Sequence, residues 1–328
     1  MKIKGVLSIF LFPIILFILN GCTSATLTAL IPTYTVQTVE PSLTSPPATI
    51  IPTETTIKPI STLGAEDAYM KLGDLLGNDP KCRLPCWLQI TPGRSSFIDA
   101  QTQLTLFSGI SRRLFIEPGA NKWSTGFFTI PHPNENMVIE IRPSYLVSAA
   151  GNSISMTGFD TRAYRLKAGQ YDGDVYGYAP YNDLLKAYTI SGVLNQYGQP
   201  AQIYILASLR SDIWPDTPGY GDYFEIHLWY PDKGIFLAYK MSVERTGESY
   251  QFCPSKSLIS GYLLEPSEFA NYQNVLEGLH DNYKYFFSPS IYVKKPEDAF
   301  GMTAEKFFQI FQSPTDQCLE TPISIWWP

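Results

Sequence analysis

The chain has 328 residues, a formal net charge of −6 at pH 7 and 16% charged residues. Such a mildly acidic chain lacks the clustered lysine and arginine with which proteins bind nucleic-acid phosphates, so we expect no nucleic-acid partner. Hydrophobic residues make up 45% of the chain and aromatic residues 14%, which provides enough apolar surface for a sizeable core.

The first 21 residues have the composition of a secretory signal peptide. Lys2 and Lys4 give a positive start, and residues 6–19 are almost wholly apolar, as in the hydrophobic core of such leaders. A membrane-spanning helix needs about twenty apolar residues, and Pro13 interrupts this shorter run. We therefore predict a signal peptide at residues 1–21, with a permanent transmembrane helix as the weaker alternative.

The four residues Leu19-Asn20-Gly21-Cys22 follow the apolar run directly. They resemble the lipobox of bacterial lipoproteins, in which an aliphatic residue, a free position and a small residue precede a cysteine. In that family the cysteine thiol is acylated and the leader is cleaved just before it. The resemblance implies that lipid on Cys22 anchors the protein to a cell membrane, facing the periplasm or the cell exterior, since two or three acyl chains anchor stably. An ordinary secreted protein whose leader ends near a cysteine is the alternative.

Residues 22–62 are dominated by threonine, proline and serine. A segment of this composition buries too little apolar surface to offset the entropy lost on ordering. We predict a disordered tether here, followed by an extracytoplasmic globular region at residues 63–328. An extended proline-rich chain spans roughly 3 Å per residue, so the tether reaches up to about 100 Å from the bilayer.

Four cysteines besides Cys22 lie in the globular region: Cys82, Cys86, Cys253 and Cys318. Export to an oxidising compartment and an even number of cysteines favour disulfide bonds. Of the three pairings that four cysteines allow, we prefer Cys82 with Cys86 and Cys253 with Cys318. A zinc site is the alternative, although the spacing lacks two CxxC pairs and no histidine lies near in sequence. We predict no metal and no other cofactor.

Hydrophobic periodicity predicts five helices in the globular region. Residues 65–76 place their leucines on one helical face, and Ser96 with Asp99 forms a capping box before a second helix. Thr189 caps a third helix, which a Gly-x-Pro sequence ends. The last two helices follow Ser267 and Thr303, and their core-facing residues are Phe269, Tyr272, Leu276, Phe307, Ile310 and Phe311.

Runs of β-branched and aromatic residues bounded by glycine, proline and asparagine predict strands. The predicted strands are residues 123–130, 137–142, 153–159, 203–209, 223–230 and 235–243. The last two form a hairpin around the turn at residues 231–234.

Helices and strands occur in blocks along the chain. This order favours an α+β fold with antiparallel sheets and packed helices over a doubly wound parallel sheet. A further hypothesis is that two similar helix-plus-sheet units, at about residues 63–165 and 180–328, lie side by side, because each contains a capped helix followed by strands.

Residues 189–200 consist of a threonine-capped helix that ends in Gly-x-Pro before a strand. This stretch is similar to the helix-to-strand signature of small envelope lipoproteins related to the small lipoprotein of the outer-membrane barrel-assembly machinery. The other half of that signature, an isoleucine and a glycine shortly before the cap, occurs at residues 90–96. The resemblance implies a non-catalytic domain whose sheet contacts partner proteins.

No serine-hydrolase, zinc-protease or phosphate-loop motif occurs in the chain. Among its three histidines, His227 is the strongest candidate for acid–base chemistry. On an alternating strand it shares a face with Tyr223, Glu225 and Trp229, and a carboxylate beside an imidazole can transfer protons. The alternative is that these side chains form the outward side of a hairpin and have no catalytic role.

Aromatic side chains offer candidate ligand contacts. Trp214 and Tyr220 flank a loop rich in proline and glycine, and Trp326-Trp327 lies near the end of the sequence. Flat apolar rings with polar neighbours suit stacking on sugars or gripping a partner protein. The alternative for Trp326 and Trp327 is packing onto the core close to Cys318.

No catalytic residue is identified, so the favoured function is a non-catalytic binding or envelope-scaffold module that meets an envelope protein or a glycan. Two alternatives stay open: a carbohydrate-binding module that uses exposed aromatic residues, and an extracellular hydrolase with dispersed acidic residues. The acids of a glycoside hydrolase are distant in sequence, so the pattern alone does not separate these functions.

Overall fold

The structure, a computed structural model, describes residues 63–78, 81–107, 111–114, 123–131, 136–148, 153–209, 222–268 and 291–326. The predicted signal peptide, lipid attachment site and tether lie outside these residues, as do the core-facing residues of the helix predicted after Ser267. Within the described ranges no helix is both long and apolar enough to span a membrane.

More of the described residues lie in antiparallel strands than in helices. The strands are β1 (Ser111–Leu114), β2 (Trp123–Pro131), β3 (Met137–Val147), β4 (Ile154–Lys167), β5 (Gln170–Asp174), β6 (Gln202–Ser208), β7 (Tyr223–Tyr230), β8 (Ile235–Ser242), β9 (Glu244–Thr246), β10 (Ser249–Phe252), β11 (Leu258–Leu264), β12 (Ile291–Lys294) and β13 (Leu319–Pro322). Ten of these described strands form one large sheet in the order β1-β2-β3-β4-β11-β8-β7-β6-β12, with β5 paired to β4. The remaining three form a small sheet in the order β13-β10-β9. The α+β fold with antiparallel sheets is therefore confirmed.

Short helices accompany the sheets. The α-helices of the described residues are α1 (Ala65–Gly73), α2 (Phe97–Thr105), α3 (Ala179–Leu184), α4 (Ile190–Tyr197), α5 (Pro296–Phe300) and α6 (Ala304–Phe311). A π-helical turn, Asp74–Asn78, continues directly from α1, so the predicted helix at 65–76 is present with a change of helical type near its end.

Polar caps begin three of the predicted helices. Before α2, Ser96 Oγ accepts a hydrogen bond from the Asp99 N–H at 3.1 Å, and the Asp99 carboxylate accepts one from the Ser96 N–H at 2.9 Å. The hydroxyl oxygens of Thr189 and Thr303 accept from backbone N–H groups in the first turns of α4 and α6. Each cap gives a partner to an N–H that the first helical turn leaves unsatisfied, and so it fixes where the helix begins.

β3 and β4 are longer than predicted. The prediction ended β3 at Arg142, since Pro143 has no backbone N–H to donate, but the strand runs to Val147. Pairing with β2 is interrupted opposite Arg142 and Pro143, while pairing with β4 continues through them. A proline is tolerated where the ladder on one side of its strand is interrupted.

The described helices and one face of the large sheet share a hydrophobic core, and we call this face the first face. Buried members of this core include Leu72, Ala100, Val193 and Phe307 from helices and Ile141, Ile226 and Tyr239 from strands. Each fully buried large apolar side chain contributes about 1.5–3 kcal/mol relative to exposure. Burial of the apolar face of each amphipathic helix therefore holds the helices against the sheet.

The four cysteines of the globular region form the two preferred disulfide bonds. Cys82–Cys86 closes a short loop, whereas Cys253–Cys318 joins positions separated by 65 residues. Bonded sulfur atoms are not thiolate ligands, so the zinc alternative is wrong. In the chain-entropy picture, a cross-link over such a long loop stabilises the fold by about 4 kcal/mol.

β4 and β11 pair at the middle of the large sheet, and we call this pairing the seam. The Thr161 hydroxyl donates to the carbonyl of Ile259, which lies 98 residues further along the chain. From α3, the Tyr181 hydroxyl accepts from the Ile259 N–H at 2.8 Å and lies 2.7 Å from Thr161 Oγ1. These groups are buried, so loss of one partner would leave a polar group unsatisfied at a cost of about 1–3 kcal/mol.

Two glycines at the seam make room for aromatic rings from the neighbouring strand. Gly158 lies opposite Tyr262, and Gly261 lies opposite Phe159. A Cβ atom at Gly158 would lie 3.2 Å from Tyr262 Cε1. One at Gly261 would lie 3.0 Å from Phe159 Cζ and 2.6 Å from the carbonyl oxygen of Phe236. Each ring thus occupies space that a larger residue on the other strand would need.

We expect Gly261→Ala to lower the free energy of unfolding by about 1–3 kcal/mol, because overpacking a filled core forces side chains or backbone to move. Chemical denaturation followed by circular dichroism measures the change. Gly77→Ala is the matched control, since a Cβ atom at Gly77 has no neighbour within 4 Å, and it should keep or raise stability, because alanine is favoured over glycine by up to about 1 kcal/mol in helical backbone. Equal stability of the two variants would contradict this account of the seam.

Candidate functional site

The second face of the large sheet is built from strand residues that alternate with core residues. Along β7 the core side chains are Phe224, Ile226, Leu228 and Tyr230. The intervening side chains, which point to the second face, are Tyr223, Glu225, His227 and Trp229. This division of β7 is the one that the sequence predicted.

An apolar cluster occupies the middle of the second face. We call it the aromatic cluster, and its members are Met156, Trp229, Phe236, Ala238 and Leu264 with the half-buried Leu146, Tyr204 and Tyr262. Every member comes from a strand, whereas the buried helix residues belong to the core on the first face. The register places Trp229 opposite Phe236 and Phe236 opposite Tyr262. Three adjacent strands therefore each place one ring in the same row.

The rings of the aromatic cluster pack edge to face. The centroids of Trp229 and Phe236 are 5.0 Å apart at an interplanar angle of 82°, and those of Tyr204 and Trp229 are 6.1 Å apart at 76°. Trp229 is 5% exposed and Phe236 is 9% exposed. Edge-to-face pairs of this kind stabilise one another, and the cluster is thus a packed patch with tyrosines at its margin.

Four charged residues lie beside this cluster, and we call them the charged quartet. β3 carries Glu140 and Arg142, and β4 carries Asp160 and Arg162, in the same acid-x-arginine pattern. Arg142 Nε contacts the Glu140 carboxylate, and Arg162 Nε lies 3.3 Å from Asp160 Oδ2. The register also places Arg142 opposite Asp160 and Arg162 opposite Glu140. Each carboxylate therefore has two guanidinium groups nearby.

The charged quartet is accessible to a partner. The side chains of Arg142, Asp160 and Arg162 are 44%, 40% and 35% exposed. Partial burial raises the pKa of Asp160, and the guanidinium groups of Arg162 and Arg142 act against this rise. Burial acts to lower the pKa of Arg162, but the carboxylates of Asp160 and Asp174 outweigh it and raise that pKa. The quartet therefore offers both signs of charge at one surface.

His227 and Glu225 form an imidazole–carboxylate pair on the second face. Nε2 of His227 and Oε2 of Glu225 are 2.9 Å apart, and the His227 ring is buried edge-on to Phe236 at 5.2 Å. Glu225 also lies opposite Lys240, whose Nζ is 4.5 Å from the centroid of the Tyr223 ring. Because neighbouring side chains enclose the imidazole, this geometry favours a structural contact over proton transfer to a substrate.

Trp326 is a core residue and not a ligand contact. Its side chain is fully buried, and its Nε1 donates to Thr321 Oγ1 at 2.9 Å. Its ring meets Phe224 edge to face at 5.1 Å. The prediction of Trp326 as a ligand contact is therefore wrong, because a terminal tryptophan with a buried hydrogen-bond acceptor gains more by packing inward.

The other candidate contacts, Trp214, Tyr220 and Trp327, lie outside the described residues. In the part of the chain that the structure describes, no three histidine, cysteine, aspartate or glutamate residues are grouped so that they could hold a metal ion.

The sequence analysis did not identify the charged quartet. Its two halves lie about twenty residues apart on strands whose register the sequence does not reveal. The available signal was the repeated acid-x-arginine pattern, since residues two apart on a strand point to the same face. The pattern indicates a group of four charged residues only when β3 and β4 are known to be neighbouring strands.

Comparison of the chain with protein-family models, with curated proteins and with solved structures finds no match.

We expect the contribution of Asp160 to stability to fall as the pH rises. The folded-state pKa of Asp160 lies above its ordinary value of 3.8, so its contribution is fully present below the unfolded-state pKa and is lost as the pH rises through the folded-state pKa. The difference in free energy of unfolding between the native protein and Asp160→Asn should therefore decrease between about pH 3.5 and 7, a range that starts below the ordinary aspartate pKa. Denaturant titrations across that range measure the difference.

If the difference in free energy of unfolding between the native protein and Asp160→Asn increases with pH, then pairing with Arg142 and Arg162 outweighs the effect of burial on the pKa of Asp160. The carboxyl carbon of Asp160, followed by NMR during an acid titration, gives an independent reading of the direction of the pKa shift.

Proposed function

We propose that the protein is an exported lipoprotein, anchored to a membrane through Cys22, that binds a partner protein of the cell envelope on the second face of its large sheet. The observation that carries the proposal is that the half-buried tyrosines at the margin of the aromatic cluster and the accessible charged quartet lie together on the face opposite the helix-bearing core. Protein interfaces combine an apolar, aromatic centre with a polar rim in this way.

The residue types of the second face support a protein partner. Tyrosine, tryptophan and arginine are the residues that most often dominate binding energy at protein interfaces. Tyr204 and Tyr262 lie at the margin of the aromatic cluster, and the exposed guanidinium groups of Arg142 and Arg162 lie beside it. Paired charges of both signs would fix the orientation of a partner and discriminate against poorly matched ones.

The described aromatic residues give less support to a carbohydrate-binding module. Stacking on sugars uses ring faces that are open to solvent, whereas Trp229 and Phe236 pack edge to face with their neighbours and Trp326 is buried. Among the aromatic side chains that the structure describes, the exposed one is Tyr171, at 54%. A single ring offers a small platform for a glycan.

An extracellular hydrolase is also less well supported. Glu140 and Asp160 are diagonal neighbours across β3 and β4, which corresponds to a separation of about 7–8 Å. Each of them contacts an arginine side chain. A carboxylate engaged by a guanidinium group is less available to exchange a proton with a substrate.

The second part of the proposal is that the large sheet consists of two similar units. α1 and α2 precede β1, β2, β3 and β4, and α3 and α4 precede β6, β7, β8 and β11. The order of these eight strands is symmetric about the seam, where the last strand of each set of four pairs with the other in antiparallel fashion. Outside this symmetry, β12 pairs with β6 and β5 pairs with β4. A two-fold axis through the seam would interchange two such units.

The residues at the seam support the same idea. β4 carries Gly158-Phe159 and β11 carries Gly261-Tyr262, and each glycine lies opposite the aromatic residue of the other pair. A glycine followed by an aromatic residue therefore occurs at equivalent positions in the two proposed units. Ser96 and Thr189 likewise cap the second helix of each unit.

We expect photo-crosslinking to locate the partner on the second face. A benzoylphenylalanine residue in place of Tyr204 or Tyr262 should form an adduct of one defined mass with an envelope protein in living cells. The same residue in place of Met70, which is 68% exposed on α1, is the control and should not form that adduct. Equal adduct yields at all three positions would argue against the second face as the binding surface.

Charge reversal provides a second test of the same surface. Combining Arg142→Glu with Arg162→Glu places like charges beside Glu140 and Asp160 and should reduce the yield of the Tyr262 adduct at least about fivefold, because mismatched charges at an interface are costly. Circular dichroism should first show that this variant is folded. An unchanged adduct yield in the folded variant would show that the charged quartet is not part of the proposed interface. In a separate measurement, binding of the protein to a glycan on an array would favour the carbohydrate-binding alternative.

We expect Cys22→Ser to abolish labelling of the protein by an alkyne-tagged palmitate supplied to the cells, because the thiol is the group that is acylated. Cys86→Ser is the control, since it removes a different cysteine, one that is held in a disulfide bond, and should leave the label in place. In-gel fluorescence after attachment of a dye measures the label. A Cys22→Ser protein that is labelled as strongly as the control would contradict the lipid anchor.

A further inference from the structure

A cavity of about 470 Å³ lies on the first-face side of the fold, between the turn that follows α1, the Cys82–Cys86 loop and α4. Its lining includes Leu76, Arg83, Leu84, Asn195, Gln196 and Tyr197. Small-molecule sites in proteins have volumes of about 300–1,000 Å³. The cavity is therefore large enough for a small organic molecule.

The walls of the cavity are held in place by contacts between distant segments. The Tyr197 hydroxyl donates to the Leu84 carbonyl at 3.3 Å, which ties α4 to the disulfide loop. Tyr188 lines the cavity and packs edge to face on the fully buried Trp87, with ring centroids 4.9 Å apart. The Gln89 N–H lies 3.2 Å from the Cys82 sulfur. The cavity is thus built into the fold before any ligand binds.

Polar side chains around the cavity have donors and acceptors that are available to a ligand. In the part of the chain that the structure describes, the Arg83 guanidinium forms no ion pair, and the side-chain amides of Asn195 and Gln196 form no hydrogen bond. Arg83 lies close enough to Tyr197 for its charge to oppose the effect of burial, which raises the pKa of Tyr197 to about 12. One cationic group and two amides therefore surround the same space.

We propose that this cavity binds a small molecule that carries a carboxylate next to an amide and an apolar side chain, such as an N-acylated amino acid or the carboxyl end of a short peptide. A guanidinium binds a carboxylate with two parallel hydrogen bonds. A side-chain amide offers both a donor and an acceptor, which match those of a ligand amide. Leu76 and Leu84 supply the apolar contact for the side chain.

This site is independent of the proposed function. Leu76, Leu84 and Tyr188 belong to the core on the first face of the sheet, whereas the proposed partner surface is on the second face. A failure of either proposal therefore leaves the other unchanged.

NMR of the full-length lipoprotein in detergent micelles, labelled with ¹⁵N at glycine, tests the site. The probes are N-acetyl-leucine and its uncharged analogue N-acetyl-leucinamide. We expect N-acetyl-leucine to shift the amide signals of Gly77 and Gly192, which line the cavity, and to leave those of Gly234 and Gly247 in place. N-acetyl-leucinamide should bind at least about tenfold more weakly, because it lacks the charged group that pairs with Arg83.

Arg83→Gln should weaken binding of N-acetyl-leucine about tenfold, and Arg94→Gln, outside the cavity lining, is the matched control. Binding that is equal in the two variants, equal for the two probes, or undetectable would overturn the proposal. An acetylated tripeptide that ends in leucine distinguishes the two sources of the ligand chemistry. Tighter binding of the tripeptide identifies a peptide end, and weaker binding identifies a free N-acylated amino acid.

Discussion

The pairing of β4 with β11 is the contact on which the rest of this fold depends. It is the ladder that joins the four N-terminal strands of the described sheet to the C-terminal ones. Contacts between such distant segments form only after a large loss of chain entropy. Stabilising interactions at the pairing itself must therefore offset that loss. Tyr181 and Thr161 supply buried hydrogen bonds to Ile259. In the observed register, the rings of Tyr262 and Phe159 fill the space beside Gly158 and Gly261.

The second face is a consequence of the same pairing. The charged quartet belongs to β3 and β4, and the rings of the aromatic cluster belong largely to β6, β7, β8 and β11. Neither set alone has the mixture of apolar centre and charged margin that protein interfaces show. The seam brings the two sets of residues together on one surface. A change of register at the seam would separate them and so remove the proposed binding site, while the helices would largely remain.

Elements whose signals lie close together in sequence were predictable. The caps at Ser96, Thr189 and Thr303 and the hairpin around residues 231–234 depend on side chains within four residues of the backbone that they fix. The continuation of β3 past Pro143, the pairing of β12 with β6, the pairing of β10 with β13 and the pairing at the seam depend on neighbours that are distant in sequence. The same division applies to the site. Strand alternation predicted which residues share a face with His227, whereas the charged quartet depends on the register of β3 and β4. The burial of Trp326 depends on its contact with Phe224 of β7, which is distant in sequence.

The edges of the large sheet bear on how readily copies of the protein aggregate. Among the described strands, β1 and β12 end the main path of the sheet, and each has only four residues. Long exposed edges act as templates for strands of other molecules and so promote aggregation. Short ones offer few backbone groups to a neighbour. The described edges therefore lower the tendency of neighbouring copies of the protein to pair edge to edge.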